Sequence, residues 1–250
     1  MTALRSLLFN IWFYGTLVLG LILMIALLPF HRMVIQESVR TWVKVALFGA
    51  RVILGLRYKI RGIENLPKGA AIVAAKHQSA WDTLIFYLLA HDPAYVLKKE
   101  LIDLPVWGWH ARKAKAIAVD RSGGGAALKK MLRDVRDALE ATRLVVIFPE
   151  GTRTKVGQKA PYHPGIAALY RDGAAPVVPV ALNSGLFWGR RQFKKYGGVI
   201  TLEILPPIPA DLDRKAFMAR LQSDIETATG ALVEEARAKF PHLPPPESTI

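Results

Sequence analysis

The strongest constraint in this sequence is a run of 24 residues, Leu7–Phe30, that contains no charged side chain. A helix of that length measures about 36 Å, enough to cross a hydrocarbon core of about 30 Å with some tilt. A cleaved secretory signal is the competing interpretation, but only Arg5 precedes the run and no small-residue cleavage site follows it before Pro29. We therefore expect a retained apolar helix that either spans the bilayer or dips into it and returns.

The next segment, Met33–Leu56, has the pattern of an amphipathic helix. Its charged residues share one helical face, namely Glu37, Arg40, Lys44 and Arg51. The opposite face is apolar, as in a helix that lies in the membrane interface, although a helix packed on a globular domain has the same pattern. Because positive charge lies mostly on the C-terminal side of the first apolar run, the positive-inside rule predicts that the rest of the chain lies at the cytoplasmic face of the plasma (inner) membrane.

The composition narrows the classes of partner. A net charge of +14 favours an anionic partner, either nucleic acid or an anionic membrane surface, and a hydrophobic content of 52% favours the membrane. The absence of cysteine excludes disulfides, thiolate metal ligands and a cysteine nucleophile. The sequence also lacks the motifs of phosphate-binding loops, serine nucleophile elbows and zinc sites, so we predict no metal and no cofactor.

From Arg57 onward, short apolar runs alternate with helical patterns. This alternation predicts an α/β fold with a mixed, largely parallel sheet flanked by helices, preceded by the N-terminal two-helix membrane-binding segment. Strands are expected at 57–61, 71–76, 94–97, 116–119, 144–148, 176–182 and 199–205, and helices at 80–90, 126–142, 165–171 and 213–239. The chain is thus divided into a membrane segment at 1–56, an α/β domain at 57–240 and a Pro-rich tail at 241–250.

A histidine and an aspartate flank the junction between the second predicted strand and its helix. His77 follows the strand, and Ser79 is predicted as the helix N-cap because Asp82 lies three residues later, just before an apolar run. The intervening turn lets Asp82 reach back to His77. A carboxylate there would fix the imidazole tautomer and leave the other ring nitrogen as a general base. The alternative is a capping aspartate beside an unrelated surface histidine.

A second polar motif, F-P-E-G-T-R at residues 148–153, ends the most apolar strand. Strand C-terminal ends are where α/β folds bind ligands. The turn is expected to project Glu150 and Arg153 together, away from the core. Arg153 offers a planar fork suited to a phosphate, and the amides of Gly151 and Thr152 can add donors. The alternative is an exposed turn with a local ion pair of little consequence.

Four separated motifs resemble one family. They are H-x-x-x-x-D at His77 and Asp82, Val119-Asp120-Arg121, the complete F-P-E-G-T-R at 148–153, and Val178-Pro179-Val180. Their order and spacing, over residues 55–210, resemble the glycerolipid acyltransferases, most closely the bacterial 1-acyl-sn-glycerol-3-phosphate acyltransferases. Two departures are Lys76, where the family usually has asparagine, and the segment 115–119, which lacks the usual Gly and Phe-Ile.

The resemblance implies direct acyl transfer without an acyl-enzyme. His77 is then the base that deprotonates the acceptor hydroxyl, and Asp82 orients it. Glu150, Gly151, Thr152, Arg153, Arg121 and Lys98 are the implied substrate-binding residues. The product would be phosphatidic acid, and the acyl donor would be acyl-CoA or acyl-carrier protein, acting as a co-substrate rather than a cofactor.

Other interpretations remain open. The acceptor in such a family could instead be lyso-ornithine lipid or a lysophospholipid with a head group. A protein of a different class, a membrane-anchored nucleic-acid-binding protein, is suggested by the net positive charge. The sequence contains no helix-turn-helix and no aromatic RNA-binding strand to support it. The segment Leu186–Tyr196 mixes aromatic and cationic residues, which is typical of a loop at the membrane interface, or of a basic surface hairpin.

Overall fold

The structure, a computed structural model, describes residues 2–245, so the last five residues of the predicted Pro-rich tail lie outside the described residues. The helices are α1 Thr2–Ile25, α2 Arg32–Gly49, α3 Trp81–Leu89, α4 Lys99–Ile102, α5 Trp107–Lys113, α6 Gly124–Glu140, α7 Gly165–Asp172 and α8 Arg214–Lys239. The strands are β1 Leu56–Arg61, β2 Ala71–Ala75, β3 Pro93–Lys98, β4 Ile117–Val119, β5 Leu144–Ile147, β6 Val177–Leu182 and β7 Gly198–Ile204. Each predicted strand and α/β-domain helix is present with bounds within two residues of the expectation, whereas the short helices α4 and α5 were not predicted.

The strands form one sheet of seven in the order β1-β7-β6-β2-β5-β3-β4. All neighbouring pairs are parallel except β6 and β7, which are antiparallel. This arrangement confirms the predicted mixed, largely parallel sheet. Because β2 and β5 are neighbours in its middle, the polar residues after each of them lie at the same edge.

Both faces of the sheet are covered. In β2, Val73 packs in a cluster with α1, α2 and α3, whereas the adjacent Ile72 packs in a second cluster with α6, α7 and α8. In β5, Val146 and Val145 alternate in the same way. A continuous apolar run is therefore required in these strands, because every side chain enters one of two cores.

The N-terminal helix α1 lies against the α/β domain at both of its ends. Near its start, Phe9 and Phe13 make edge contacts with Trp188, at centroid distances of 4.9 Å each. Near its end, the backbone oxygen of Leu21 lies 3.1 Å from His110 Nε2. By length and composition, α1 is the one helix among residues 2–245 that could cross a membrane.

The outer face of α1 remains apolar and exposed. Its exposed large residues recur at helical spacing and are Leu4, Leu7, Leu8, Ile11, Tyr14, Val18, Leu19, Ile22, Leu23 and Ile25. An apolar stripe of this length on an otherwise folded protein indicates membrane association. The predicted division at residue 56 stays a prediction, since Phe9 and Val43 share one core cluster with the sheet.

The apolar face of α2 packs on the domain, which is the alternative to a face lying in the membrane. Val43, Ala46 and Leu47 are buried in the first core cluster. On its polar side, Arg40 donates to the backbone oxygens of Tyr87, Ala90 and His91, which are at and just beyond the end of α3. A cation there complements the negative end of that helix.

The aromatic residues of segment 186–196 differ from the expectation. Phe187 and Trp188 are buried in the core rather than exposed to an interface, because Trp188 supplies the surface on which α1 docks. Phe193 alone among the large apolar residues of this segment is exposed, at 53%. The buried Lys195 is held by α1 as well, since its backbone N–H donates to Ser6 Oγ at 2.9 Å.

Candidate active site

His77 and Asp82 lie together at the end of β2. The strand ends at Ala75 and α3 begins at Trp81, so a five-residue turn separates the two elements. This turn brings His77 Nδ1 to 3.0 Å from Asp82 Oδ2. The His77 ring stacks on Phe148 with centroids 4.0 Å apart, which fixes its plane. With Nδ1 occupied by the carboxylate, Nε2 is the nitrogen that can exchange a proton with a ligand.

The Asp82 carboxylate is fully buried and its oxygens are shared with the turn. Oδ2 also accepts hydrogen bonds from the backbone N–H groups of Gln78 and Ser79, at 2.6 and 2.7 Å. Oδ1 accepts one from the hydroxyl of Ser184 at 2.5 Å. The helix begins one residue later than a Ser79 cap predicts, although Ser79 Oγ still accepts from Trp81 N at 3.1 Å. The aspartate thus shapes the turn that carries His77.

Glu150 points into the protein, not out of it. The expectation that it projects beside Arg153 was wrong, since the residue is only 3% exposed. Its carboxylate accepts from Lys76 Nζ at 2.6 Å and from the backbone N–H of His77 at 2.8 Å. The physical reason is the buried lysine next to His77, which requires an anionic partner. Any contact between Glu150 and substrate stays a prediction.

A group of cationic side chains surrounds Gly151 in the same loop. Gly151 has a φ of +63°, and a Cβ at this position would lie 2.3 Å from Arg121 Nη2 and 2.7 Å from His163 Nε2. Arg121 Nη2 donates to the Gly151 oxygen at 2.6 Å. Burial lowers the pKa of His163, and the nearby charges of Arg121 and Lys98 lower it further. The structure therefore brings together Arg121, Lys98 and a histidine at one point.

His163 was not singled out in the sequence, because no strand end or familiar motif marks it. It lies ten residues after Arg153 along the chain. The structure returns it to the F-P-E-G-T-R loop through a hydrogen bond from its backbone N–H to the Pro149 oxygen, at 2.8 Å.

A single cavity of about 1210 Å³ connects these groups to the N-terminal helices. Of the predicted site residues, it is lined by His77, Lys98, Arg121, Gly151, Thr152 and Arg153. Asp82 and Glu150 lie behind that surface. The part of the cavity formed by α1 and α2 is apolar and is lined by Leu17, Gly20, Leu21, Met24, Ile35, Val39 and Trp42. The cavity therefore joins a cationic region beside His77 to an apolar region beneath α1.

The two charged residues next to Lys98 and Arg121 pair with each other. Lys99 Nζ lies 3.2 Å from Asp120 Oδ2 in an exposed ion pair. Bonds from Ser122 and Lys99 lower the pKa of Asp120 to about 2. The Asp120 carboxylate therefore lies near the cationic group, and Lys99 neutralises its charge.

Among residues 2–245, no three side chains of the His, Cys, Asp or Glu type are grouped so as to hold a metal ion.

Comparisons with known proteins find matches in one family. A family model described as Acyltransferase matches residues 57–183. The 1-acyl-sn-glycerol-3-phosphate acyltransferase of Pseudomonas aeruginosa is 34% identical over 227 residues, which are 90% of this chain and 87% of that protein. The human 1-acyl-sn-glycerol-3-phosphate acyltransferase alpha is 27% identical over 171 residues, which are 67% of this chain and 60% of that protein.

Among solved structures, the chain is similar to the crystal structure of the 1-acyl-sn-glycerophosphate (LPA) acyltransferase from Thermotoga maritima. The TM-score is 0.76, the sequence identity is 20%, and the match covers 93% of this chain and 98% of that one. At this identity the likeness shows a shared fold.

Proposed function

The chain belongs to the acyltransferase family, and from that premise we propose that it transfers an acyl group to the free hydroxyl of 1-acyl-sn-glycerol-3-phosphate and so makes phosphatidic acid. The relatives of this chain carry that activity in their names. The observation that carries the proposal for this chain is the cavity in which a paired His77, a cluster of cations and an apolar channel meet.

In the proposed reaction, His77 Nε2 takes the proton from the acceptor hydroxyl as its oxygen attacks the thioester carbonyl. The C–S bond then breaks, and the departing thiolate receives the proton from the imidazolium. No covalent acyl-enzyme forms. Support comes from the 3.0 Å contact between Nδ1 and the buried Asp82 carboxylate, which stabilises the imidazolium during the transfer.

The acceptor phosphate is proposed to bind at Gly151. Lys98, Arg121 and His163 meet there, and Arg153 lines the same cavity. A guanidinium and an ammonium are well suited to a phosphate. Gly151 leaves the space in which a side chain would collide with Arg121 and His163. A dianionic phosphate would also favour the protonated form of His163.

The acyl chain of the donor is proposed to occupy the apolar part of the cavity under α1 and α2. The acceptor's own chain can stay in the bilayer, because α1 presents an exposed apolar stripe beside the cavity. Since α1 contacts the domain near both ends, through Phe9 and Leu21, we propose that it lies in the membrane surface and does not cross the bilayer. The net charge of +14 favours the anionic surface of the cytoplasmic leaflet, so we propose the cytoplasmic face of the inner membrane as its location.

The test is an assay of the purified protein with paired acceptors and donors. Lysophosphatidic acid, a lysophospholipid with a head group and lyso-ornithine lipid are offered with acyl-CoA or acyl-carrier protein as donor. The proposal predicts phosphatidic acid as the principal product and no dependence on an added metal or cofactor. Preferred acylation of either of the other acceptors would replace the proposed substrate with that lipid.

A further inference from the structure

The residue before His77 is a lysine buried in the protein interior. Lys76 is 1% exposed, and its Nζ lies 2.6 Å from Glu150 Oε1 and 2.7 Å from Glu226 Oε1. Glu226 belongs to α8, far from the motifs in sequence, and Tyr162 Oη donates to it at 3.1 Å. An unpaired ammonium buried in the protein is strongly destabilising. The carboxylates of Glu150 and Glu226 compensate its charge.

The Glu150 carboxylate connects this ion group to the backbone of His77. Its Oε2 accepts from the His77 N–H at 2.8 Å, while Oε1 accepts from the Thr154 hydroxyl at 2.9 Å. Thr154 in turn donates its N–H to the His77 oxygen at 2.8 Å. Both peptide groups of His77 are therefore held by the loop that contains F-P-E-G-T-R.

Charge balance links the two ends of this network. Lys76, Glu150 and Glu226 together carry one net negative charge when all are ionised. Removing only the lysine would leave two carboxylates close together in the interior, and one of them would take up a proton. Removing the lysine and the Glu226 charge together restores a single negative charge on Glu150, which keeps the His77 N–H and the Thr154 hydroxyl as donors.

We propose that Lys76 and Glu226 are positioning residues, and that as an ion pair they hold the Glu150 carboxylate on the backbone N–H of His77. Loss of both charges of this pair together is tolerated, whereas loss of the lysine alone is not. They touch no substrate and act on the reaction through the placement of the base. The role rests on the proposed function of His77, and it explains how the chain accommodates a lysine where the family usually has asparagine.

The titratable groups that face Glu150 come from three parts of the chain. They are Lys76 and His77 after β2, Glu226 on α8 and Tyr162 before α7. Burial raises the pKa of Glu150, and Lys76 opposes that shift. Burial also raises the pKa of Tyr162, which stays protonated as a donor. Without Lys76, we expect Glu150 to take up a proton at higher pH, so kcat falls as pH falls through that raised pKa.

The experiment compares Lys76→Asn, Glu226→Gln and the double variant with wild type, using purified protein, lysophosphatidic acid and acyl-CoA. We expect Lys76→Asn to lower kcat by about tenfold or more, with little change in the KM for the acceptor. Recovery of a loss of that size in the double variant is a coupling within the usual range for contacting residues. Glu226→Gln has a small effect, and the double variant recovers most of the lost kcat. The acid limb of the kcat profile moves to higher pH in Lys76→Asn and returns in the double variant.

The matched control is Glu235→Gln, a glutamate of the same helix whose exposed ion pair is with Arg61, at 2.6 Å. We expect its kcat and pH profile to match wild type. If Lys76→Asn does not fold, the double variant alone tests the proposal, because the proposal predicts that the double variant folds and is active. If the losses of kcat in the two single variants add up in the double variant, or if only KM changes, the proposal is wrong. A wild-type protein inactive on lysophosphatidic acid would instead refute the proposed function.

Discussion

Replacing Asp82 with asparagine isolates the charge that faces His77. Asp82 Oδ2 accepts from two backbone N–H groups, those of Gln78 and Ser79. These donors hold the amide oxygen of an asparagine at the same place, because its NH₂ group there would leave both of them without an acceptor. The NH₂ group then faces Ser184 Oγ, which can accept. His77 therefore keeps its hydrogen bond and tautomer and loses only the negative charge.

The cost of that loss follows from the burial of Asp82. Two unit charges about 4 Å apart interact by about 4 kcal/mol at an effective dielectric constant of about 20. Because this energy stabilises the imidazolium formed in the reaction, its loss corresponds to a kcat lower by up to about 10³-fold. Asp82→Ala also leaves the N–H groups of Gln78 and Ser79 unpaired, at about 1–3 kcal/mol of unfolding free energy each.

The assay combines initial rates of acyl transfer with thermal unfolding. For Asp82→Asn we expect a strongly reduced kcat, a KM for lysophosphatidic acid near wild type and a melting temperature near wild type. For Asp82→Ala we expect a similar loss of kcat together with a clear fall in melting temperature. An Asp82→Asn protein with wild-type kcat would refute the role of the charge. One that is as unstable as Asp82→Ala would refute the assigned hydrogen bonds.

Further predictions concern the phosphate, the pH dependence, the acyl chain and the N-terminal helix. Arg121→Gln should raise the KM for lysophosphatidic acid by about ten- to a hundredfold, since a hydrogen bond to a charged group contributes about 1.5–3 kcal/mol; an unchanged KM would exclude a phosphate contact. His163 has a lowered pKa and is neutral above it, so the wild-type KM for lysophosphatidic acid should rise with pH. The rise should be steeper than in His163→Lys, whose charge persists, and parallel KM profiles would contradict a phosphate contact by His163. Gly20→Leu should shift the preferred donor to shorter acyl chains, because Gly20 lines the apolar part of the cavity, whereas Gly15→Leu on the exposed side of α1 should leave chain preference unchanged. Trp188→Ala should lower the unfolding free energy by about 3–5 kcal/mol by removing the surface on which α1 docks; a thermal denaturation midpoint equal to wild type would contradict that contact.

The fold and the His77–Asp82 pair could be predicted because their signals are local. Each strand is a short apolar run whose length and flanking turns identify it, and the two interior strands carry apolar side chains toward both cores. The pairing of His77 with Asp82 depends on a single turn of chain. The start of α3 was misplaced by one residue, which is within the usual uncertainty of helix ends.

The orientation of Glu150 could not be predicted because its cause is distant in sequence. In the F-P-E-G-T-R motif alone, a glutamate near an arginine suggests an exposed pair. Its actual direction depends on Lys76 after another strand, and the neutralisation of that lysine depends on Glu226 in the last helix. His163 was missed for a similar reason, since the fold and not the local sequence returns it to Gly151.

The aromatic residues of segment 186–196 illustrate a different limit. Aromatic and cationic residues in one loop are typical of a membrane interface, but the same composition suits a docking surface for another helix. Only the structure shows that Phe9 and Phe13 cover Trp188. Among the large apolar residues of this segment, only Phe193 is consequently exposed and available to a membrane.

The central claim is that His77 acts as the base on the hydroxyl of a membrane lipid. It is tested most directly by measuring acyl transfer to lysophosphatidic acid by a purified His77→Ala variant that still binds anionic vesicles and unfolds at the wild-type temperature. The account predicts a kcat lower by at least about 100-fold, the size of general-base catalysis, with vesicle binding unchanged. Transfer at a rate near that of wild type would contradict it.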